Sequence, residues 1–191
     1  MAIRKIAVLG NPVLRQVSRP VSAEELRSPQ IQALIDDMIE TMRDAEGAGI
    51  AAPQVYEPLR ICVLEVKKNA RYPYKPPIPL TVLVNPELTI LTDERFDNYE
   101  GCLSVPNLRG LVPRAPHLRV RAWDRHGQPL DFEARGLSAG TYQHEVDHLD
   151  AMLFVDRVQD TRSLSTWQEW DRHHREAFVQ RVEALVARWG S

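Results

Sequence analysis

The sequence predicts an α+β fold, in which antiparallel or mixed strands pack around one functional helix and a long helix closes the carboxyl end. Three observations indicate this class. Helical periodicity appears towards both ends of the chain, strand-like segments follow one another in the middle, and no βαβ alternation is visible. The 191 residues are therefore expected to form a single domain over 1–191, with a C-terminal helix over 161–191.

The first helix is expected to begin at Ser28-Pro29, where a capping hydroxyl precedes a proline in the first turn. It should end near Gly47, because glycine commonly terminates helices. Between these points apolar residues recur at helical spacing, at Ile31, Leu34, Ile35, Met38, Ile39 and Met42. The stretch that follows, GAGIAAPQV (47–55), has no helical period.

Strand-like segments, rich in β-branched and other apolar residues, fill the middle of the chain. They are expected at 60–66, at 81–88, from 89 into the 90s, at 118–124 and at 129–136. The last two should form a hairpin, because the turn residues RHGQ (125–128) separate them. The proline-rich stretch 70–80 is expected to be a loop.

Helical character returns at Leu137. In the predicted C-terminal helix, large side chains step by three or four positions, at Leu164, Trp167, Trp170, His174, Phe178, Val182, Leu185 and Trp189. This stripe is interpreted as a packing face. The arginines of the same helix are nearly balanced by acidic residues, which indicates a solvated face rather than a binding patch.

The overall composition is that of a soluble globular chain, with 43% hydrophobic residues, 26% charged residues and a net charge of −2. This charge does not indicate a nucleic-acid or membrane surface, and no apolar run is long enough to cross a bilayer. The N-terminus lacks the layout of a signal peptide. The cysteines are Cys62 and Cys102, too few for a disulfide framework, so a reducing cytoplasmic compartment is expected.

The heptapeptide QHEVDHL (143–149) places two histidines four positions apart, with a glutamate directly after the first. On a helix, His144 and His148 leave the same face one turn apart, so both imidazoles can reach one cation. Glu145 would lie about 100° round the helix, beside such a cation rather than on it, where it can hold a water molecule. The alternative is a surface helix with two unrelated histidines, because an H-E-x-x-H match alone has false positives.

A candidate for the third ligand lies upstream, in EGCLSVP (100–106). Cys102 follows a glycine, which lets the backbone approach an ion closely, and a nearby dication would hold the thiol deprotonated. Taken alone, Cys102 is better explained as a buried core thiol. Downstream, His173 and His174 do not lie at the short spacing of the extended peptidase pattern. With Cys102 as a ligand, the helix at 143–149 becomes the metal-bearing helix around which the strands should pack.

Three blocks, GAGIAAPQ (47–54), EGCLS (100–104) and QHEVDHL (143–149), together resemble the signature blocks of peptide deformylases, in the same order and with similar gaps. The flanking sequences NPVLR and LVPR are also similar, so the resemblance covers roughly residues 5–160. It implies a metal-dependent hydrolase that removes the N-formyl group from the N-terminal formyl-methionine of newly made polypeptides and releases formate.

The resemblance also implies the roles of individual residues. One divalent cation would be bound by Cys102, His144 and His148. Glu145 would transfer protons between water and the leaving amine. The Gln54 side chain and the Leu103 backbone N–H would donate to the developing oxyanion.

Further residues are implied at the periphery of this site. Backbone groups of Ala48, Gly49 and Gly101 would pair with an extended substrate as an added strand. The methionine side chain would enter an apolar pocket near the start of the 137–148 helix. Residues that would orient the ligands, with Arg114 paired to Glu100, are Glu100, Arg114, Gln143 and Asp147.

The cation implied by the resemblance is Fe(II) in cells, with Zn(II), Ni(II) or Co(II) as substitutes. The implied partners are nascent N-formyl-methionyl peptides, and a transient ribosome contact through the C-terminal helix would complement the activity. No sequence-specific nucleic-acid binding and no membrane are expected. The alternatives are a zincin-type metallopeptidase, with its third ligand after His148, and a non-catalytic metal-binding protein.

One position departs from the family pattern. Peptide deformylases commonly carry a glycine two residues after the leucine of the third block, and Ala151 stands there in this chain. If that position needs a positive φ, alanine costs about 1 kcal/mol of stability. No ligand position is affected.

Overall fold

The computed structural model describes residues 2–67 and 74–190. Its helices are α1 (Ala23–Leu26), α2 (Pro29–Asp44), α3 (Gly136–Leu149), α4 (Phe154–Arg157), α5 (Trp167–His173) and α6 (Arg175–Trp189). Its strands are β1 (Gly49–Ala51), β2 (Ile61–Val66), β3 (Ile78–Ile90), β4 (Phe96–Cys102), β5 (Val105–Arg114), β6 (His117–Trp123), β7 (Pro129–Arg135) and β8 (Ser165–Thr166). Within these two ranges, none of the helices combines the length and the apolar character that a bilayer span requires.

The strands form two sheets. The larger sheet has the order β1-β2-β3-β6-β7 and the smaller has the order β4-β5-β8. Neighbouring strands in both sheets run antiparallel. β1 and β4 each lie at the edge of their sheet, so each has one side that no neighbouring described strand pairs with. This arrangement of helices and antiparallel strands confirms the predicted α+β class.

The larger sheet is covered by helices on both faces. In β2, Ile61 and Val63 pack in the cluster that contains α2, whereas Cys62 and Leu64 pack in the cluster that contains residues of α3. A strand buried on both faces needs apolar side chains at successive positions, which explains the continuous run that predicted this strand. Burial of Cys62 raises the pKa of its thiol, and neither Cys62 nor Cys102 is in a disulfide.

Helix α2 begins as the sequence predicted. The Ser28 hydroxyl accepts a hydrogen bond from the Ile31 N–H at 3.3 Å, and Pro29 occupies the first turn, where its missing N–H has no intrahelical partner to lose. The predicted apolar stripe faces the sheet, with Leu34, Ile35, Met38, Ile39 and Met42 buried.

Strand β3 differs in its bounds from the strands and the loop that the sequence predicted between residues 70 and the 90s. The segments predicted as separate strands at 81–88 and from 89 onwards are one strand, β3, whose pairing with β6 shifts register between Val84 and Glu87. The shift occurs beside Asn85, which has φ +52° and whose side chain bonds both backbone groups of Val21. Since β3 begins at Ile78, the last residues of the predicted loop 70–80 are in a strand, and residues 70–73 lie outside the described ranges.

The C-terminal region is more complex than one helix over 161–191. Residues 161–163 form a short 3-10 turn, β8 pairs with β5, and α5 and α6 are separated at His174, where φ is −121°. The long helix is therefore α6. The predicted packing face is present, because Trp170, Phe178 and Val182 are buried together with Tyr99.

Candidate active site

Three side chains suited to bind a metal converge where α3 meets the end of β4. Cys102 is the last residue of β4, and His144 and His148 lie one turn apart on α3. Their ligand atoms all lie within 4.8 Å of one another, and Cys102 Sγ is 3.3 Å from His148 Nε2. No fourth histidine, cysteine or carboxylate joins this cluster within residues 2–67 and 74–190. Downstream, His173 instead lies 3.3 Å from Glu169 in an exposed pair on α5.

The Cys102 thiol is in an environment that favours its thiolate. Enclosure by protein opposes ionisation, but the charges and hydrogen bonds of His148 and His144 outweigh it and lower the pKa of the thiol to about 5. The Ser104 N–H and the Gln54 Nε2 group also donate to the sulfur, at 3.4 Å and 3.5 Å. A thiolate with two imidazoles is a donor set that suits zinc and other first-row dications, so these residues fit a divalent cation.

Glu100 orients the first histidine and is itself held by an arginine. His144 Nδ1 lies 2.8 Å from Glu100 Oε2, so Nε2 is the ring nitrogen left for a cation. Arg114 donates to both Glu100 oxygens, from Nε at 2.7 Å and from Nη2 at 2.9 Å, and Asn98 adds a third bond at 3.1 Å. Burial would raise the pKa of Glu100, but Arg114 and His144 outweigh it and hold this pKa far below the usual range. Glu100 therefore stays ionised and keeps the imidazole in one orientation.

Asp147 and Gln143 act on the backbone and on Arg114 rather than on the histidines. Asp147 accepts from Arg114 Nη1 at 2.7 Å and pairs with Arg157 through both of its oxygens. Gln143 exchanges hydrogen bonds with the Ala115 backbone, at 3.2 Å and 2.9 Å. Both side chains therefore fix α3 against neighbouring segments, and Asp147 is linked to Glu100 through Arg114.

Glu145 is buried beside the ligands without being one of them. It is 4% exposed, and its Oε2 atom has no hydrogen-bond partner among the described residues. Burial raises the pKa of its carboxyl, although the neighbouring His144 and His148 partly counteract this. An unpaired buried oxygen costs free energy unless another group bonds it, so a water molecule or a substrate is expected there.

Gly49 is required by the position of Glu145. A Cβ atom on Gly49 would overlap the Glu145 carboxyl group. The glycine-rich block before β2 therefore does more than admit a substrate backbone, since it also leaves the space that the Glu145 carboxylate occupies.

Gln54 is fixed beside Cys102 with its amide nitrogen towards the site. The residue is 1% exposed, its Oε1 accepts from the Ala51 N–H at 2.8 Å, and its Nε2 donates to Ser104 Oγ at 3.0 Å. These bonds settle which end of the amide is the donor. An amide nitrogen carries two N–H groups; here one bonds Ser104 Oγ, and the other makes the long contact with Cys102 Sγ at 3.5 Å.

A cleft runs from these side chains to the surface between β1 and β4. Its lining includes all three residues expected to pair with substrate, Ala48, Gly49 and Gly101, as well as Leu103. The Ala48 carbonyl already accepts from the Glu65 N–H at 3.1 Å. Because β1 and β4 are both edge strands, an extended peptide in the cleft would meet unpaired strand edges on two sides.

The comparison with known proteins agrees with this geometry. A model of the polypeptide deformylase family matches residues 3–163. The chain belongs to this family. Peptide deformylase 1 of Bordetella pertussis is 46% identical to it over 158 residues, which cover 83% of this chain and 89% of that protein. Peptide deformylase of Leptospira biflexa is 43% identical over 163 residues, which cover 85% of this chain and 91% of that protein.

Solved deformylase structures have the same fold. The class I type b peptide deformylase from Acinetobacter baumannii with Met-Ala-Ser bound is 40% identical, with a TM-score of 0.79 over 82% of this chain and 99% of that one. A peptide deformylase from Legionella pneumophila is 34% identical, with a TM-score of 0.73 over 98% of this chain and 99% of that one. The second similarity extends over the C-terminal helices.

Ala151, the departure from the deformylase pattern, occupies a strained position at the end of the metal-bearing helix. Its φ is +62°, in the left-handed region. The Met152 N–H bonds the Asp147 carbonyl at 2.9 Å and the Ala151 N–H approaches the His148 carbonyl at 3.4 Å. This pair of bonds is the Schellman motif that usually carries glycine at this position.

Two contributors to the deformylase site were not identified from the sequence. Ser104 lies within the EGCLS block. Its N–H donates to Cys102 Sγ two residues earlier, and its hydroxyl accepts from Gln54 of the first block. Arg157 lies outside all three blocks. Its only sequence signal is a basic residue ten positions after Asp147, and that spacing does not by itself predict an ion pair.

Proposed function

We propose that this chain is a metal-dependent deformylase that removes the N-formyl group from the N-terminal formyl-methionine of newly made polypeptides and releases formate. The observation that carries the proposal is the convergence of Cys102, His144 and His148 beside the buried, unpaired oxygen of Glu145. Membership of the polypeptide deformylase family supports the same reaction. Every relative described above is named as a peptide deformylase.

Cys102, His144 and His148 would hold one divalent cation through one sulfur and two imidazole nitrogens. When bound, the cation supplies Lewis acidity, which makes hydroxide available near neutral pH and polarises a carbonyl. We propose Fe(II) as the ion in cells and Zn(II), Ni(II) or Co(II) as substitutes, since thiolate and imidazole ligands suit all of them. The thiolate of Cys102 would make such an enzyme sensitive to oxidation.

Glu145 would act as the general base and then as the general acid. Its raised pKa keeps it closer to neutral pH than an ordinary glutamate, which suits a group that both accepts and donates a proton. Its unpaired Oε2 would accept the proton of the attacking water, and the same oxygen would deliver it to the leaving amine. The Glu145 carboxylate lies against Gly49, and this contact would limit the orientations that the carboxylate can take.

Gln54 and Leu103 would stabilise the oxyanion that develops on the formyl oxygen. The Gln54 amide has one N–H engaged by Ser104, and its second N–H, which makes the long 3.5 Å contact with Cys102 Sγ, would turn to the substrate oxygen. The Leu103 backbone N–H would supply the other donor. Losing one donor of this kind typically lowers kcat by about 10²–10³.

The substrate would lie as an extended strand between the edges of β1 and β4, bonded by backbone groups of Ala48, Gly49 and Gly101. Its methionine side chain would enter the inner part of the cleft near Gly140 and Thr141 at the start of α3, which also contribute to the lining. The Acinetobacter baumannii enzyme has been solved with Met-Ala-Ser bound, which supports a peptide of this chemistry.

Glu100, Arg114, Asp147 and Gln143 would hold the catalytic groups in position without touching substrate. Glu100 orients His144 directly, and Arg114 links Glu100 to Asp147 on the metal-bearing helix. We assign Gln143 to anchoring α3 through the Ala115 backbone.

The decisive experiment measures formate release from formyl-Met-Ala-Ser by anaerobically purified protein, with Glu145→Ala beside the wild type. We expect loss of the general base to lower kcat by about 10²–10⁴ while the metal content is unchanged. Equal rates would refute the role of Glu145, and no formate from either protein would favour a non-catalytic metal protein.

A second measurement separates the deformylase from a conventional metallopeptidase. Removing a deformylase ligand by Cys102→Ser should lower the bound metal per chain, measured by mass spectrometry of the metal. Retention of metal by this variant would support a third ligand elsewhere. Cys62→Ser is the matched control, because Cys62 lies in β2 away from the cluster.

We propose the cytoplasm as the site of action, because nascent formyl-methionyl chains emerge from ribosomes there. A transient ribosome contact through the exposed polar face of α6 would bring the enzyme to its substrate. Co-sedimentation with ribosomes, comparing the wild type with reversal of the exposed Arg181 and Arg188 charges, tests this contact.

A further inference from the structure

The chain continues beyond the segment matched by the family model, and this continuation returns to the active-site cleft. We call residues 164–190 the C-terminal arm; the family match ends at 163. The arm is tied to the smaller sheet where Ser165 and Thr166 pair with Arg109 and Leu108 of β5. Its buried side chains, Trp170, Phe178 and Val182, pack with Tyr99 and Leu137. The arm is therefore a fixed part of the fold next to the cleft.

Two aromatic residues of the arm line the cleft itself. Trp167 and Phe178 belong to the same lining as Glu145, Cys102 and Gly101. A Cβ atom on Gly101 would lie 3.1 Å from Trp167 Cζ2, so the indole edge lies directly beside the end of β4. An extended peptide paired with the edge of β4 would consequently pass close to this ring.

Arg109 joins the arm to the cleft. Its guanidinium lies between the rings of Trp167 and Trp170, with its carbon 4.4 Å and 3.8 Å from the two ring centroids. Stacking of this kind stabilises a desolvated cation. The side chain is a cleft-lining group although the residue is only 2% exposed. The arm therefore fixes the orientation of a buried positive charge.

The hydrogen bonds of Arg109 are incomplete. Nη2 donates to the Tyr99 carbonyl at 2.6 Å, whereas Nε and Nη1 have no hydrogen-bond partner in the described part of the chain. The neighbours that the guanidinium does have on its two faces are the rings of Trp167 and Trp170. A buried cation with unused donors is costly unless an acceptor arrives, because its desolvation is not compensated.

We propose that the C-terminal arm completes the binding site for the part of the substrate that follows formyl-methionine. Trp167 forms an apolar wall beside the added strand, and it holds Arg109 so that Nε and Nη1 donate to carbonyl or carboxylate oxygens of the second and third substrate residues. This inference rests on the proposed deformylase function and deepens it, since it assigns part of the recognition of the second and third substrate residues to the C-terminal arm.

The test compares two substrates that differ only beyond the first residue. We would measure kcat and KM for formyl-Met-Ala-Ser and for formyl-methionine amide, with the metal-loaded wild type, Trp167→Ala and Trp167→Phe. The Trp167→Ala change should lower the ratio of kcat/KM for the tripeptide to that for the amide about tenfold, mainly through KM, and phenylalanine should restore part of it. Trp189→Ala is the matched control, because Trp189 is also half-buried in the arm but stacks near His117, outside the cleft.

A binding measurement separates failure of this inference from failure of the proposed function. The affinity of the wild type and the same variants for the peptide Met-Ala-Ser can be measured by calorimetry without any turnover. Weaker binding to Trp167→Ala but not to Trp189→Ala supports the arm as a peptide site even if no formate is released. Two results would overturn the inference. One is an equal fall in kcat/KM for both substrates in Trp167→Ala, and the other is an unchanged affinity of this variant for Met-Ala-Ser.

Discussion

Replacing Ala151 by glycine should stabilise the protein, which is an unusual expectation for a glycine substitution at the end of a helix. Ala151 follows α3 at the position that a Schellman motif usually gives to glycine, and its φ is +62°. The left-handed conformation brings the Cβ atom of an L-residue too close to the following carbonyl oxygen. Glycine lacks this atom and adopts the same backbone without that cost.

The size of the effect follows from two opposing terms. The left-handed conformation costs an alanine about 1–2 kcal/mol in the folded state. Glycine gives the unfolded chain extra conformational entropy, which costs about 0.4–1 kcal/mol on folding. The difference favours Ala151→Gly by about 0.5–1 kcal/mol, and in a chain of 191 residues this raises the melting temperature by about 2 °C.

Chemical denaturation monitored by circular dichroism measures this free energy of unfolding directly. The matched control is Ala187→Gly, at an exposed position inside α6 with ordinary helical geometry, where glycine should destabilise by about 1 kcal/mol. Opposite signs for the two variants are the expected result. A lower unfolding free energy for Ala151→Gly would refute the reasoning from backbone strain.

Three further outcomes follow from contacts between side chains. Gly49→Ala should lower formate release about 10²-fold with unchanged metal content, because the added methyl displaces the Glu145 carboxylate; an active variant would contradict this. Arg114→Met should cost about 3–5 kcal/mol of unfolding free energy in urea titration, because it leaves buried carboxylates without their cation. Arg15 donates hydrogen bonds to both carboxylate oxygens of Asp156 in α4, and these bonds are the main reason that the pKa of Asp156 is lowered. The stabilisation is therefore present at neutral pH and is lost as the pH falls below about 4. Asp156→Asn should therefore lose less unfolding free energy than the wild type between pH 5 and pH 3, and parallel curves would contradict the assignment.

Local signals in the sequence were sufficient for several elements. Ser28 and Pro29 define the start of α2 through contacts within one turn, and the apolar run of β2 reflects burial on both faces. The hairpin β4–β5 was harder to recognise because its stability depends on pairing and on partners far along the chain. One example is Arg109, a charged residue that is buried within a strand only because tryptophans of the arm enclose it.

Only part of the candidate site could be predicted, namely the part that depends on local spacing in the sequence. The spacing of His144 and His148 requires nothing beyond helix geometry, and Cys102 stands out because the chain has so few cysteines. The position of Trp167 in the cleft wall could not be predicted. Large side chains that step by three or four positions give the same sequence pattern whether a residue is buried in the packing face or lies at the edge of that face and lines a cleft. At the break between α5 and α6, the His174 ring lies against Tyr99 of β4, with ring centroids 5.6 Å apart, a contact between segments that are far apart in the sequence.

The ion pair between Glu100 and Arg114 also bears on how the protein acquires its ion. Because the carboxylate already fixes the imidazole of His144, we expect the chelating geometry to form during folding and not upon loading. A sample stripped by a chelator should then keep its tertiary structure and take up a different dication directly. Exchange of one metal for another would be a local event at the end of the cleft, which makes this chain suitable for comparing cations in an otherwise constant environment.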